Sequence, residues 1–236
     1  MLWSVLGGNV GSFTELLFLL LGYLILLGVM MPLHEAAHAW AAVKLGDNTP
    51  RWSGRLTLNP LAHIDPLGSL MILLFGIGYA KPVPVNPYNF RNRRRDMALT
   101  ALAGPLSNLL MAFASVGIFR VILTVSGEGL YVMGGSIYYT DETVLYAYLI
   151  LIGVFARVNI ALAVFNLLPL PPLDGSRIFG ALFPPRWTYW MDQYHQYVRL
   201  AVLLLVVTGA LSVPLSFLQS VVGNAMCLVF RLPSLF

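Results

Sequence analysis

The chain has 236 residues, of which 58% are hydrophobic and only 10% charged, and its mean hydropathy is +0.77. A water-soluble domain of this length cannot hide that much apolar surface, so the composition excludes an ordinary soluble enzyme and points to lipid as the solvent. The net charge of +4 and pI near 9.3 do not indicate a nucleic-acid partner, because the basic residues stand in short loops beside apolar runs.

The first apolar run extends from about Phe13 to Val43. It is too long for the core of a signal peptide, and no Lys or Arg occurs between Met1 and Thr14, so a retained spanning helix is expected. The next run, Leu67 to Tyr79, is too short to cross a hydrocarbon layer that needs roughly 20 residues, and reads as a re-entrant segment. In Lys81 to Pro87, Pro82 and Pro84 remove donors from one edge of an extended chain, while Val83 and Val85 keep theirs on the other. That pattern predicts an edge strand open to an unwound substrate through Val83 and Val85, with a proline-rich turn as the alternative. Further spanning runs cover Met97–Val125, Val144–Leu168 and Leu200–Phe230. The last contains Pro214 and is either one kinked helix or two shorter ones. The expected fold is therefore an all-α polytopic membrane protein. It is a transmembrane helix bundle with a re-entrant segment and a small β element near the cytoplasmic face. We expect one domain over 1–236, with a catalytic core at about 13–180 and C-terminal membrane segments at about 198–231.

Basic residues cluster after the first helix (Lys44, Arg51, Arg55), after the short segment (Lys81, Arg91, Arg93, Arg94, Arg95) and after the third span (Arg177, Arg186). Ser126 to Thr143 carries only Glu128, Asp141 and Glu142 as charges. The excess of Lys and Arg on one side predicts a multi-pass protein of the cell membrane, with those loops cytoplasmic and the N-terminus outside. The single cysteine, Cys227, lies in an apolar run and reads as a structural thiol.

His34-Glu35-Ala36-Ala37-His38 falls near the cytoplasmic end of the first helix. Positions i and i+4 share a helix face, so both imidazoles can bind one metal ion, with Glu35 beside them to take a proton from water. The alternative is a pair of histidines acting as polar glue between helices, but two imidazoles and a carboxylate in lipid are costly without a function. A catalytic zinc needs a third protein ligand. Only His63 and His195 remain among the histidines, so Asp174, in Leu173-Asp174-Gly175, is the best candidate. The first helix and the one ending at Leu168 run in the same direction, which brings Asp174 to the same leaflet. An ordinary Asp-Gly turn is the alternative there.

These motifs, with Asn166-Leu167-Leu168-Pro169 and Ala103-Gly104-Pro105-Leu106-Ser107-Asn108, resemble the site-2 protease family of intramembrane zinc metalloproteases. The similarity extends to Gly54–Pro60, His63–Pro66 and Ala80–Pro87, and so covers about Val29 to Asp174. It implies one zinc per chain on His34, His38 and Asp174, Glu35 as general base, and Asn166 against the substrate or its oxyanion. The implied substrate is a transmembrane protein cut within the bilayer, by a compact form without a PDZ-like insertion or a nucleotide-sensing C-terminal domain. Gly104 and Asn108 read as helix-packing residues, Arg157 as lining the cavity or pairing with a helix-end carbonyl, and His63 and Asp65 as loop stabilisers. Trp187, Tyr189, Trp190, Tyr194 and Tyr197 read as an interfacial belt. A metal transporter and a catalytically silent homologue are the rival readings. Four histidines in the whole chain argue against the first, and intact key residues against the second.

Overall fold

The computed structural model describes residues 21–75, 78–127, 130–133, 136–139, 142–184, 189 and 193–236. The chain forms two compact units, Met1–Gly104 and Pro105–Phe236. Among the described residues, four helices are long and apolar enough to cross a membrane: Leu21–Lys44, Arg93–Ser126, Val144–Asn166 and Ser212–Val229. The architecture is that of an all-α polytopic membrane protein.

In the first unit, α1 (Leu21–Lys44) contains a π-helical stretch at Leu26–Met30 before its regular part, Met31–Lys44. Pro32 has no N–H for the carbonyl four residues earlier, and the wider turn accommodates this: Met31 N–H reaches back to Leu26 O. Short helices α2 (Thr49–Trp52) and α3 (Pro60–His63) follow, the latter capped by Asn59, whose Oδ1 accepts from Leu61 N at 3.1 Å. Helix α4 (Pro66–Phe75) covers most of the run Leu67–Tyr79 that the sequence reads as re-entrant. Asp65 Oδ1 accepts from Gly68 N at 2.8 Å at its start. The returning chain passes so close that a Cβ on Gly68 would strike the Tyr79 carbonyl, and one on Gly78 would strike Gly68. Only glycine permits that doubling back.

Residues 81–86 adopt no regular secondary structure, Asn86 alone being recorded as extended, and form no ladder with another strand among the described residues. Their ends are held. Lys81 N donates to His63 O at 2.8 Å, Arg55 donates to Ala62 O and, at 3.3 Å, to Lys81 O, and Asn86 N donates to Asp47 Oδ2 at 2.7 Å. The β element is instead a two-stranded antiparallel hairpin, β1 (Leu130–Met133) with β2 (Ser136–Tyr139), with Leu130 opposite Tyr139. It falls within the segment Ser126–Thr143, which lacks basic residues.

Helix α5 (Arg93–Ser126) contains Pro105 and, at about 1.5 Å per residue, is about 50 Å long, so its ends outreach a hydrocarbon core of about 30 Å. In the second unit α6 is one helical span. It comprises Glu142–Ala147, a π-helical Tyr148–Ala156 and Arg157–Asn166. Its core joins Val116 and Phe119 of α5 to Ile152, Ala156 and Ile160 of α6, Cys227, and the terminal Leu232 and Leu235. Asn108 and Asn159 are fully buried, and Asn108 Nδ2 donates to Asn159 Oδ1 at 2.8 Å. Asn108 is thus the interhelical tie expected of it. Arg157 finds its partners on the terminal segment: it donates to Leu235 O and stands 5.2 Å from the Phe236 ring centre.

The apolar C-terminal region is two helices, α8 (His195–Val207) and α9 (Ser212–Val229), after α7 (Asp174–Leu182). The break lies at Gly209, whose φ of +72° is the left-handed region that glycine favours. Pro214 sits in the first turn of α9, where its missing donor costs nothing. Of the expected aromatic belt, Tyr189, Tyr194 and Tyr197 are exposed. Trp187 and Trp190 lie outside the described residues.

Candidate metal centre

His34 and His38 stand one turn apart on α1 and are both buried. Their rings meet edge to face, with centroids 4.7 Å apart, and the two Nε2 atoms are separated by 3.1 Å. His38 Nδ1 lies 2.8 Å from the carbonyl oxygen of Thr100 on α5. A carbonyl only accepts, so Nδ1 carries the proton and donates it there. In the neutral ring Nε2 then holds the lone pair and faces His34. This is the orientation a metal-binding histidine needs, with one nitrogen anchored to an acceptor and the other presented as ligand.

The spacing suits zinc. Two nitrogens at about 2.0–2.1 Å from one tetrahedral ion are about 3.3–3.4 Å apart, close to the separation seen. The surroundings suit it too, because the space beside the two Nε2 atoms is bounded by the bare Cα of Gly104. A Cβ there would come within 2.6 Å of His34 Nε2 and 2.5 Å of His38 Cε1. Glu35 follows His34 on α1 and is partly exposed.

Asp174 and Asn166 belong to the second unit. Asp174 is the first residue of α7, and its Oδ2 is shielded from solvent. The irregular turn before it, Leu167–Leu173, is built on Leu168 N donating to Phe165 O and Leu173 N to Leu170 O, with a cis bond between Pro171 and Pro172. Gly175 packs against this turn so tightly that a Cβ would strike the carbonyls of Leu167 and Leu168. Glycine at that position lets Asp174 start a helix directly on the turn. Asn166 ends α6 and its Nδ2 donates to Leu162 O at 3.0 Å.

A profile of peptidase family M50 matches residues 22–208. The chain belongs to that family. It is 40% identical over 190 residues to a Bacillus subtilis protein named putative zinc metalloprotease YwhC, covering 80% of this chain and 82% of the relative. A Mycolicibacterium smegmatis protein named putative zinc metalloprotease Rip2 is 30% identical over 199 residues, covering 80% of this chain and 68% of the relative. MJ0611 of Methanocaldococcus jannaschii, similarly named, is 30% identical over 71% of this chain and 72% of its own length. No solved structure matches the chain. This M50 protein is therefore a membrane-embedded member of a zinc metalloprotease family, the site-2 proteases that its motifs resemble, and zinc is its cofactor.

Three residues with parts in this region carry little signal in the sequence. Thr100 acts through its carbonyl, which every residue has. Gly104, four residues on and on the same face of α5, reads as a packing glycine until the imidazoles are seen against it. Asp47, fully buried, accepts from Thr49 N (3.0 Å), Thr49 Oγ1 (2.5 Å), Asn86 N (2.7 Å) and Asn89 Nδ2 (2.7 Å). His63 and Asp65 hold loops as expected: His63 Nε2 donates to Thr57 O at 2.9 Å, and Asp65 starts α4.

Proposed function

We propose that this M50 protein is an intramembrane endopeptidase that cuts other membrane proteins within or near their transmembrane segments. One zinc ion would be held by His34, His38 and Asp174, with Glu35 as the general base. The observation that carries this reading is the His34–His38 pair, buried, 3.1 Å apart at Nε2 and fixed in tautomer by the Thr100 carbonyl. Held there, zinc would supply a bound water of lowered pKa and polarisation of the scissile carbonyl. Glu35 takes the water's proton as the oxygen attacks the carbonyl carbon, and returns it to the leaving amine. Asn166, at the end of α6, is placed by the resemblance against the substrate, and its amide exchanges the Leu162 carbonyl for a substrate or oxyanion contact.

A helical substrate hides its carbonyls in its own hydrogen bonds and must unwind before attack. Residues 81–86 suit the unwound form. The segment is fixed at Lys81 and at Asn86, while the backbones of Val83 and Val85 enter no hydrogen bond among the described residues. An extended substrate can add to that edge through main-chain bonds. The charge asymmetry of the loops supports an orientation with the histidines toward the cytoplasmic side of the cell membrane and the N-terminus outside.

The test is cleavage of a single-span membrane protein co-reconstituted in proteoliposomes. Wild type should yield fragments whose new termini map within or beside the span, and Glu35→Gln should yield none. Zinc flux without fragments would instead indicate a transporter, and substrate retention without fragments a silent binder.

A further inference from the structure

We propose that Gly104 is the clearance residue of the zinc centre: the absence of a side chain at this one position of α5 is what lets His34 and His38 bind the ion. This rests on the reading of those histidines as ligands. Three observations converge on it. The Thr100 carbonyl that holds His38 Nδ1 lies one turn before Gly104 on the same face, so α5 presents the anchor and the gap together. A Cβ on Gly104 would lie within 2.6 Å of His34 Nε2 and 2.5 Å of His38 Cε1, the ring edges from which a metal would be bound. The rings can yield only at the expense of the site: with Nδ1 held at the Thr100 carbonyl, a turn of the buried His38 ring about that bond that clears the methyl redirects its Nε2.

The added methyl therefore acts on the metal rather than on the fold. An imidazole edge is the far end of a rotatable side chain, so the metal-free protein absorbs the methyl by a small rotation. Alanine is also the better helix former, which favours α5. With zinc, the same rotation turns the Nε2 lone pairs away from a common point. Disturbing what orients a metal-bound histidine typically weakens binding about 10–100-fold, and a similar loss is expected here.

The experiment compares purified wild type, Gly104→Ala and Gly28→Ala. Gly28 lies on α1 with nothing within 4 Å of an added Cβ, so it controls for the chemical change itself. Zinc affinity is measured by competition with a chelator, and Tm is measured metal-free and with saturating zinc. Gly104→Ala should bind zinc at least about 10-fold more weakly while its metal-free Tm stays at or above that of wild type, and Gly28→Ala should match wild type in affinity. Unchanged affinity in Gly104→Ala would overturn the proposal. So would a fall in its metal-free Tm, which would make Gly104 an ordinary packing glycine. Absence of zinc from the wild type would sink the ligand reading instead.

Discussion

At the scale of single residues, the histidine pair was legible because helical periodicity alone puts positions 34 and 38 on one face. What holds the pair was not. The Thr100 carbonyl and the Gly104 gap depend on which face of α5 meets α1, and no local pattern encodes that. Asn108 was readable as packing, since a buried amide in a spanning helix needs a partner, but Asn159 as that partner emerges only in the fold. Replacing Asn108 with Ala strands the Asn159 amide oxygen and should lower stability in detergent by about 1 kcal/mol, read from the unfolding midpoint. Zinc content and cleavage per folded molecule should not change. A loss of zinc with unaltered stability would show instead that Asn108 serves the site.

Among the elements, apolar runs gave the spans, whereas their interruptions needed the backbone. Pro214 leaves open one kinked helix or two shorter ones; the chain has two, breaking at Gly209, and the proline merely starts the second. Gly209→Ala should therefore cost about 1 kcal/mol through its positive φ, and Pro214→Ala much less, in the same unfolding measurement. Equal costs would contradict this placement of the break. Segment 81–86 is anchored at its Asn86 end by Asp47. Burial would push the Asp47 carboxyl upward, but hydrogen bonds from Thr49, Asn89 and Asn86 outweigh this and hold it below its ordinary value. A carboxyl depressed in the folded state stabilises above its unfolded pKa of about 3.9, and that contribution is lost as pH falls through the lower folded value. The Tm difference between wild type and Asp47→Asn should then be constant from about pH 7 to 5 and shrink below about pH 4. A difference that grows in acid would mean the carboxyl is not held in its charged form. Asp47→Asn should also raise KM for a membrane substrate while zinc content stays full, because the anchor lies on the segment and not on the metal.

For the whole molecule, composition and run length sufficed to identify a polytopic membrane protein, and the motif set sufficed for the family. Orientation rests on loop charge alone. It predicts, in a Cys227→Ala background, that Tyr138→Cys reacts with an impermeant thiol reagent added outside intact cells and Arg91→Cys does not. The reverse pattern would invert the topology. If three residues hold the zinc and a fourth moves the proton, metal analysis of purified variants separates the two roles. Wild type and Glu35→Gln should each carry about one zinc per chain, as a single three-ligand site requires, while His34→Ala, His38→Ala and Asp174→Ala should each lose most of it. Full zinc in Asp174→Ala, or loss of zinc in Glu35→Gln, would contradict the assignment.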